Sequence, residues 1–263
     1  MDLGLDQPGA LDRLFVVLHD IERIDERVTV FFDDPSGLHR GDNGIGELVA
    51  DHEDPHVDIR RTMLAALGGL RGSLTTVRTH VTSVPTTPEV LATLCRTALL
   101  ASCRLLVLVG PLDIEDRKRN TVRVMLQESS GLYWVYKRAQ DFKELTGLIP
   151  PPELLAKYKE RHDKLWGANR PKPFSEIEVV ELASDIISER LRALGEGTER
   201  EYVALSKQLI WVFNTYSGIA HAFAWPMMVP GATDRLPGDF VSDLGTTVEV
   251  TKMAIESFEE ATD

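Results

Sequence analysis

"VLATLCRTALLASCRLLVLVGP", residues 90–111, decides the fold. Its only charges are Arg96 and Arg104, and apolar side chains fall on every side of a helical projection. A helix that is apolar nearly all round is a buried helix, so this segment is expected at the centre of the molecule. Thr87-Pro88-Glu89 starts it, with proline at a position where the missing N–H costs nothing, and Gly110-Pro111 stops it.

The segments on either side have to cover that centre, and they read as amphipathic helices. Leu11, Leu14, Phe15, Leu18, Ile21 and Ile24 recur at three- and four-residue spacing. Ile59, Met63, Leu67, Leu70, Leu74 and Val77 repeat the pattern after an Asp54-Pro55 start. Asp113 is placed to cap a long helix that runs towards Gly147. "ELLAKYKERHDKLW" gives a shorter one, and Ser175 with Glu178 forms a capping box before "IEVVELASDIISERLRAL", which Gly195 ends. A further helix is expected from Thr198 to Trp225, and "VSDLGTTVEVTKMAIESFEEA" closes the chain. The sequence therefore predicts a single all-α domain over 1–263, a bundle of seven to eight helices with little or no β structure. Residues 33–54 read as a loop, and Val28–Phe32 as a short strand before it.

Several classes of function lose support at this level. No uninterrupted apolar run approaches the ~18 residues that span a bilayer, and no basic-then-apolar leader opens the chain, so a cytoplasmic location without membrane attachment is expected. Cys95 and Cys103 lie eight residues apart, two helical turns, which is beyond disulfide reach; they read as small buried apolar groups. His52, Glu53, Asp54, His56 and Asp58 have the composition of a metal site, but Pro55 begins a helix there and Asp54 is its cap. Asp33-Asp34 before Pro35 reads as a turn rather than a Mg²⁺ motif. No metal and no cofactor are expected.

The net charge of −12 is unevenly spread. Residues 1–60 carry 15 acidic and 5 basic side chains, residues 61–170 carry 10 and 17, and residues 171–263 carry 16 and 7. A basic centre between acidic flanks either folds against them or meets something outside. Internal pairing is the expected outcome. Arg117, Lys118, Arg119 and Arg123 sit at a helix start, where cations oppose the macrodipole, and are the candidate contacts for phosphate or an acidic partner. The expected partners are a second copy in a homo-oligomer or an acidic or phosphate-bearing molecule, with nucleic acid weakly supported.

The second informative stretch is "NTYSGIAHAFAWP", residues 214–226. Asn214, Ser217, His221 and Trp225 fall on one helical stripe among small neighbours. A Ser–His nucleophile pair there lacks an orienting acid, and a helix radiates both side chains outward. The stripe reads instead as a binding pocket or partner surface facing the helix of Arg96 and Arg104, with His221 at its polar centre. A buried arginine in that position demands a carboxylate or several carbonyls.

"RTALLASCRLLVLVGP", "DRKRNTVRVML" and the Ser217-Gly218-x-Ala220-His221 pattern with Trp225 resemble a group of uncharacterised bacterial all-helical proteins. The resemblance covers roughly 96–226 and implies an all-α fold without an established activity. Leu100 stands where that group has Glu, and Gly110 where it has Asp, so a polar catalytic site shared with the group would be incomplete here. Arg13 and His19 are spaced in a manner weakly similar to HEPN ribonucleases, although Leu14 follows the arginine where those enzymes carry a polar residue. The expectation is a helical binding or regulatory protein and not an enzyme. The alternatives are a HEPN-like ribonuclease in a toxin or defence setting, or a structural subunit of a larger assembly.

Overall fold

The computed structural model describes residues 9–33, 59–83, 87–141, 151–165, 172–221 and 232–262. They form eight helices: α1 (Ala10–Asp33), α2 (Ile59–Thr82), α3 (Pro88–Val109), α4 (Ile114–Ala139), α5 (Pro152–Leu165), α6 (Glu176–Leu194), α7 (Glu199–Ala220) and α8 (Ala232–Thr262). Among the described residues there is no strand. The metal-like stretch 52–58, most of the expected 33–54 loop, Asp34, Gly147 and Trp225 lie outside them.

α3 is the axis. It packs against α2, α4, α6, α7 and α8, while α1 lies outside on α2 and α8, and α5 packs on α4. Leu91, Cys95, Leu99, Cys103 and every residue from Leu105 to Val109 are fully buried, as a helix apolar on all sides requires. By length and composition Glu89–Val109 could also cross a membrane, but 61% of it is enclosed by the other helices. Burial pushes both thiols up, Cys103 to about 12, and Cys95 further with help from the nearby Asp243 carboxylate. They are free and inert.

The Asp54-Pro55 start and the Gly147 stop lie outside the described residues; the helix-end signals within them are realised with two exceptions in extent and one in type. Ser175 accepts from the Glu178 N–H while Glu178 accepts from Ser175, a complete capping box, and Thr198 with Glu201 makes a second. Asp113 Oδ1 accepts from the Glu115 N–H at 2.8 Å, and Gly195 closes α6 in the left-handed conformation. Val28–Phe32 is no strand. It is the last part of α1, because Val28 continues the buried row Leu14, Leu18, Ile21, Ile24 with the helical period. α7 ends at Ala220, five residues short of Trp225, with His221 as its C-cap. α8 begins at Ala232, nine residues before the expected start.

The turn that ends α3, Gly110-Pro111, needs particular chemistry, since it is buried and its carbonyls lie beyond the helix's own hydrogen bonds. Arg117 on α4 donates to the Pro111 carbonyl at 2.6 Å, and Arg190 on α6 donates to the Gly110 carbonyl at 3.1 Å. Burial lowers the Arg117 pKa, and the adjacent Arg190 lowers it further, opposed by Glu260, which pairs with Arg190. Gly110 itself admits no side chain: a Cβ would stand 2.6 Å from the Leu106 carbonyl oxygen and 2.9 Å from Ile186 Cγ2.

Candidate functional site

The ring of helices around α3 has a gap between α2 and α4. Along it, α3 presents Arg96, Thr97, Leu100, Ala101, Arg104 and Leu108, a row at i, i+4 and i+8 spacing. α2 contributes Thr62, Ala65, Ala66 and Gly69 to one wall, and α4 contributes Glu128 to the other. The result is a cleft of 260 Å³ with small side chains on the α2 wall. A Cβ added at Gly69 would stand 3.5 Å from Ala101 Cβ, so α2 and α3 come close at the cleft floor.

Two arginines line this cleft, and their surroundings differ. Arg96, whose side chain is 15% exposed, sends Nε to Ser217 Oγ at 2.7 Å and Nη2 to Glu176 Oε2 at 2.5 Å. Its guanidinium also lies 5.4 Å from the centre of the Phe213 ring. The carboxylate that a half-buried arginine demands is thus supplied from the start of α6, and the hydroxyl from α7. Arg104 pairs with Glu128 and donates to Gln127 Oε1 at 3.1 Å, both through Nη2. Its Nε and Nη1 meet no protein acceptor among the described residues.

Of the stripe on α7, the structure brings only Ser217 to the Arg96 side chain. Ser217 Oγ accepts from a cation there, which leaves no base for a nucleophile. Asn214 is exposed, and His221 is exposed at the helix end, where its backbone N–H donates to the Ser217 carbonyl at 3.0 Å. His221 is therefore not a buried polar centre: α7 stops at this residue, so its side chain leaves the packed part of the helix. Trp225 lies outside the described residues. Arg13 and His19 are both exposed on α1, and six residues of helix turn them about 120° apart.

The basic start of α4 is occupied from within. Arg117 caps the end of α3, Lys118 lies 3.4 Å from Glu115, and Arg119 pairs with Asp116. Arg123 stacks 3.6 Å from the centre of the Phe174 ring, donates to the Lys172 carbonyl at 2.8 Å and lies 3.2 Å from Glu178. Among the described residues, four ion pairs join the basic middle of the chain to its acidic flanks: Arg71–Asp25, Arg78–Glu22, Arg96–Glu176 and Arg123–Glu178.

Sequence reasoning missed the buried polar seam between α3, α7 and α8. Tyr216 Oη donates to Asp243 Oδ2 at 2.9 Å, and Ser102 Oγ meets Thr251 Oγ1 at 2.8 Å. Asp243, Thr247 and Thr251 repeat every four residues on α8, and that spacing was the available signal. Thr62, Gln127 and Glu128 at the cleft were missed as well; nothing local marks them, since the gap in the ring is a property of the packing. Among the described residues no three His, Cys, Asp or Glu side chains gather as a metal site would need.

No protein-family model, no curated protein and no solved structure matches this chain.

Proposed function

We propose that this protein acts by binding, as a cytosolic helical regulatory protein, and that its ligand site is the cleft between α2, α3 and α4, which takes an apolar group carrying an anion. The observation that carries this reading is Arg104. It lines an otherwise largely apolar cleft, and two of its guanidinium N–H positions, Nε and Nη1, have no protein acceptor among the described residues. An unmatched N–H of a half-buried guanidinium makes a charge-assisted hydrogen bond to a carboxylate or phosphate oxygen. Leu100, Ala101, Ala65 and Ala66 supply the apolar contact next to it.

The test is calorimetric titration with octanoate and with octan-1-ol, which share an apolar tail and differ in charge. Octanoate is expected to bind and the alcohol to bind at least about tenfold more weakly. Arg104→Gln is expected to abolish that preference, and Ala65→Trp, which fills the cleft from its exposed wall, to abolish both. Equal affinity for acid and alcohol, or octanoate binding unaltered in Arg104→Gln, overturns the proposal.

A further inference from the structure

Both cations at the cleft are answered from within, Arg96 by Glu176 and Arg104 by Glu128. The lining is therefore not a cationic surface, and the chemistry of its ligand has to be read from the atoms that these pairs do not use. Arg96 is engaged through Nε, Nη2 and its planar face, on Ser217, Glu176 and Phe213. Arg104 is engaged through one nitrogen: Nη2 alone serves both Gln127 Oε1 and Glu128 Oε1. That leaves the Nε and Nη1 donors of the cation, and Oε2 of the carboxylate, without a protein partner among the described residues. A positive donor and a negative acceptor thus stand next to each other at the cleft, on side chains 30% and 36% exposed.

A ligand that brings only a carboxylate answers Arg104 and sets a second anion beside the unmatched Oε2 of Glu128. A ligand that brings only an amine has the converse fault at Arg104. Either way a partly desolvated charged group lacks its partner, which costs free energy. The complement of an ion pair is a second ion pair of opposite sense, one molecule carrying both charges on neighbouring groups. The rest of the lining limits its size and kind. Ala65, Ala66 and Gly69 on α2 and Leu100, Ala101 and Leu108 on α3 are small or aliphatic, and among the described residues no aromatic ring lines the cleft for another ring to stack on. The volume, 260 Å³, lies just below the roughly 300–1,000 Å³ of pockets that hold drug-sized ligands, and suits a molecule of amino-acid size.

Resting on the cleft reading above, we infer that the ligand is a free aliphatic α-amino acid, bound as its zwitterion. Its carboxylate accepts from Arg104, its ammonium donates to Glu128 Oε2, and its side chain lies against Ala65, Ala66, Leu100 and Ala101. The Arg104–Glu128 pair is the recognition element for the two charged groups, and Gln127 holds the guanidinium in place through Nη2.

The test is calorimetric titration of the full chain with molecules of one skeleton: L-leucine, 4-methylpentanoate, which lacks the ammonium, and 3-methylbutan-1-amine, which lacks the carboxylate. Leucine is expected to bind at least about tenfold more tightly than either. Glu128→Gln is close in shape to the native side chain, and its fold is checked by circular dichroism. It is expected to weaken leucine at least about tenfold and to tighten 4-methylpentanoate, because Arg104 loses its internal partner. Ala65→Trp is expected to abolish leucine binding, which places the amino acid in the cleft. Binding of 4-methylpentanoate as tight as that of leucine, leucine binding unaltered in Glu128→Gln, or leucine binding that survives Ala65→Trp overturns the inference. Octanoate binding without leucine binding overturns it too and leaves the cleft proposal standing, whereas failure of both probes removes both.

Discussion

Gly110 shows how a single residue carries a packing decision. Its backbone is ordinary right-handed helix, φ −75° and ψ −31°, so conformational freedom is not why glycine stands there. The reason is contact: the carbonyl of Leu106 and the side chain of Ile186 occupy the space of a β-carbon. Gly110→Ala is expected to destabilise by about 1–3 kcal/mol through overpacking, read as a lower midpoint in urea with an unchanged slope. An unchanged midpoint would show that α6 can retreat at no cost. At this scale the sequence is partly legible. That a partly buried Arg96 needs a carboxylate follows from the cost of burying charge, but Glu176 lies eighty positions away and nothing local names it. His221 is misread because small neighbours suggest a buried helix, whereas the helix ends under it.

The helices owe their boundaries to chemistry that local sequence does state. Ser175 and Glu178 satisfy each other, and the bonds from the Ser175 backbone and hydroxyl hold the Glu178 carboxyl below the ordinary carboxylate range, with Arg123 adding to the effect. Glu89 and Glu199 are lowered as well, the first by the Glu89 backbone and Thr87, the second by Arg192. A carboxyl whose folded pKa lies below its unfolded value contributes stability that is complete above the unfolded value. That contribution is lost as pH falls through the folded one. The melting temperature is therefore expected to decline from about pH 4.5 downward, and Glu178→Gln to lower it at pH 7 while flattening the acid-side decline. A steeper decline in the variant would remove Glu178 from this account. Where sequence fails at this scale, the failure is one of period. Val28–Phe32 is a short apolar run that suits a strand or a helix, and only its phase with Ile21 and Ile24 decides.

The whole molecule is one helix wrapped by others, and the all-round apolarity of residues 90–109 announces that arrangement before any coordinates exist. It does not announce which faces the ring leaves uncovered, because that depends on how thick each neighbour is at each level. Hence Arg96 and Arg104 are legible as a pair on the central helix, while the walls of their cleft are not. Cys95 and Cys103 report on the integrity of the ring. With both thiols enclosed and raised, neither is expected to react with a disulfide reagent at about pH 8 in the native protein, and both to react in concentrated guanidinium. Prompt native labelling would mean that the ring opens on its own. The charge segregation along the chain serves the same architecture, since its basic middle is stitched to both acidic flanks by the half-buried Arg96–Glu176 pair and by more exposed pairs of about 0–1 kcal/mol each.

One further property belongs to the two guanidiniums at the end of α3. Apolarity alone cannot tell a central rod which way to point, since a greasy cylinder fills its sheath equally well when inserted upside down. Arg117 and Arg190 break that degeneracy. Upright, they meet carbonyl oxygens; inverted, they would face a ring of N–H donors and repel it. The pair acts as a polarity key, admitting the core helix into its socket in one sense only.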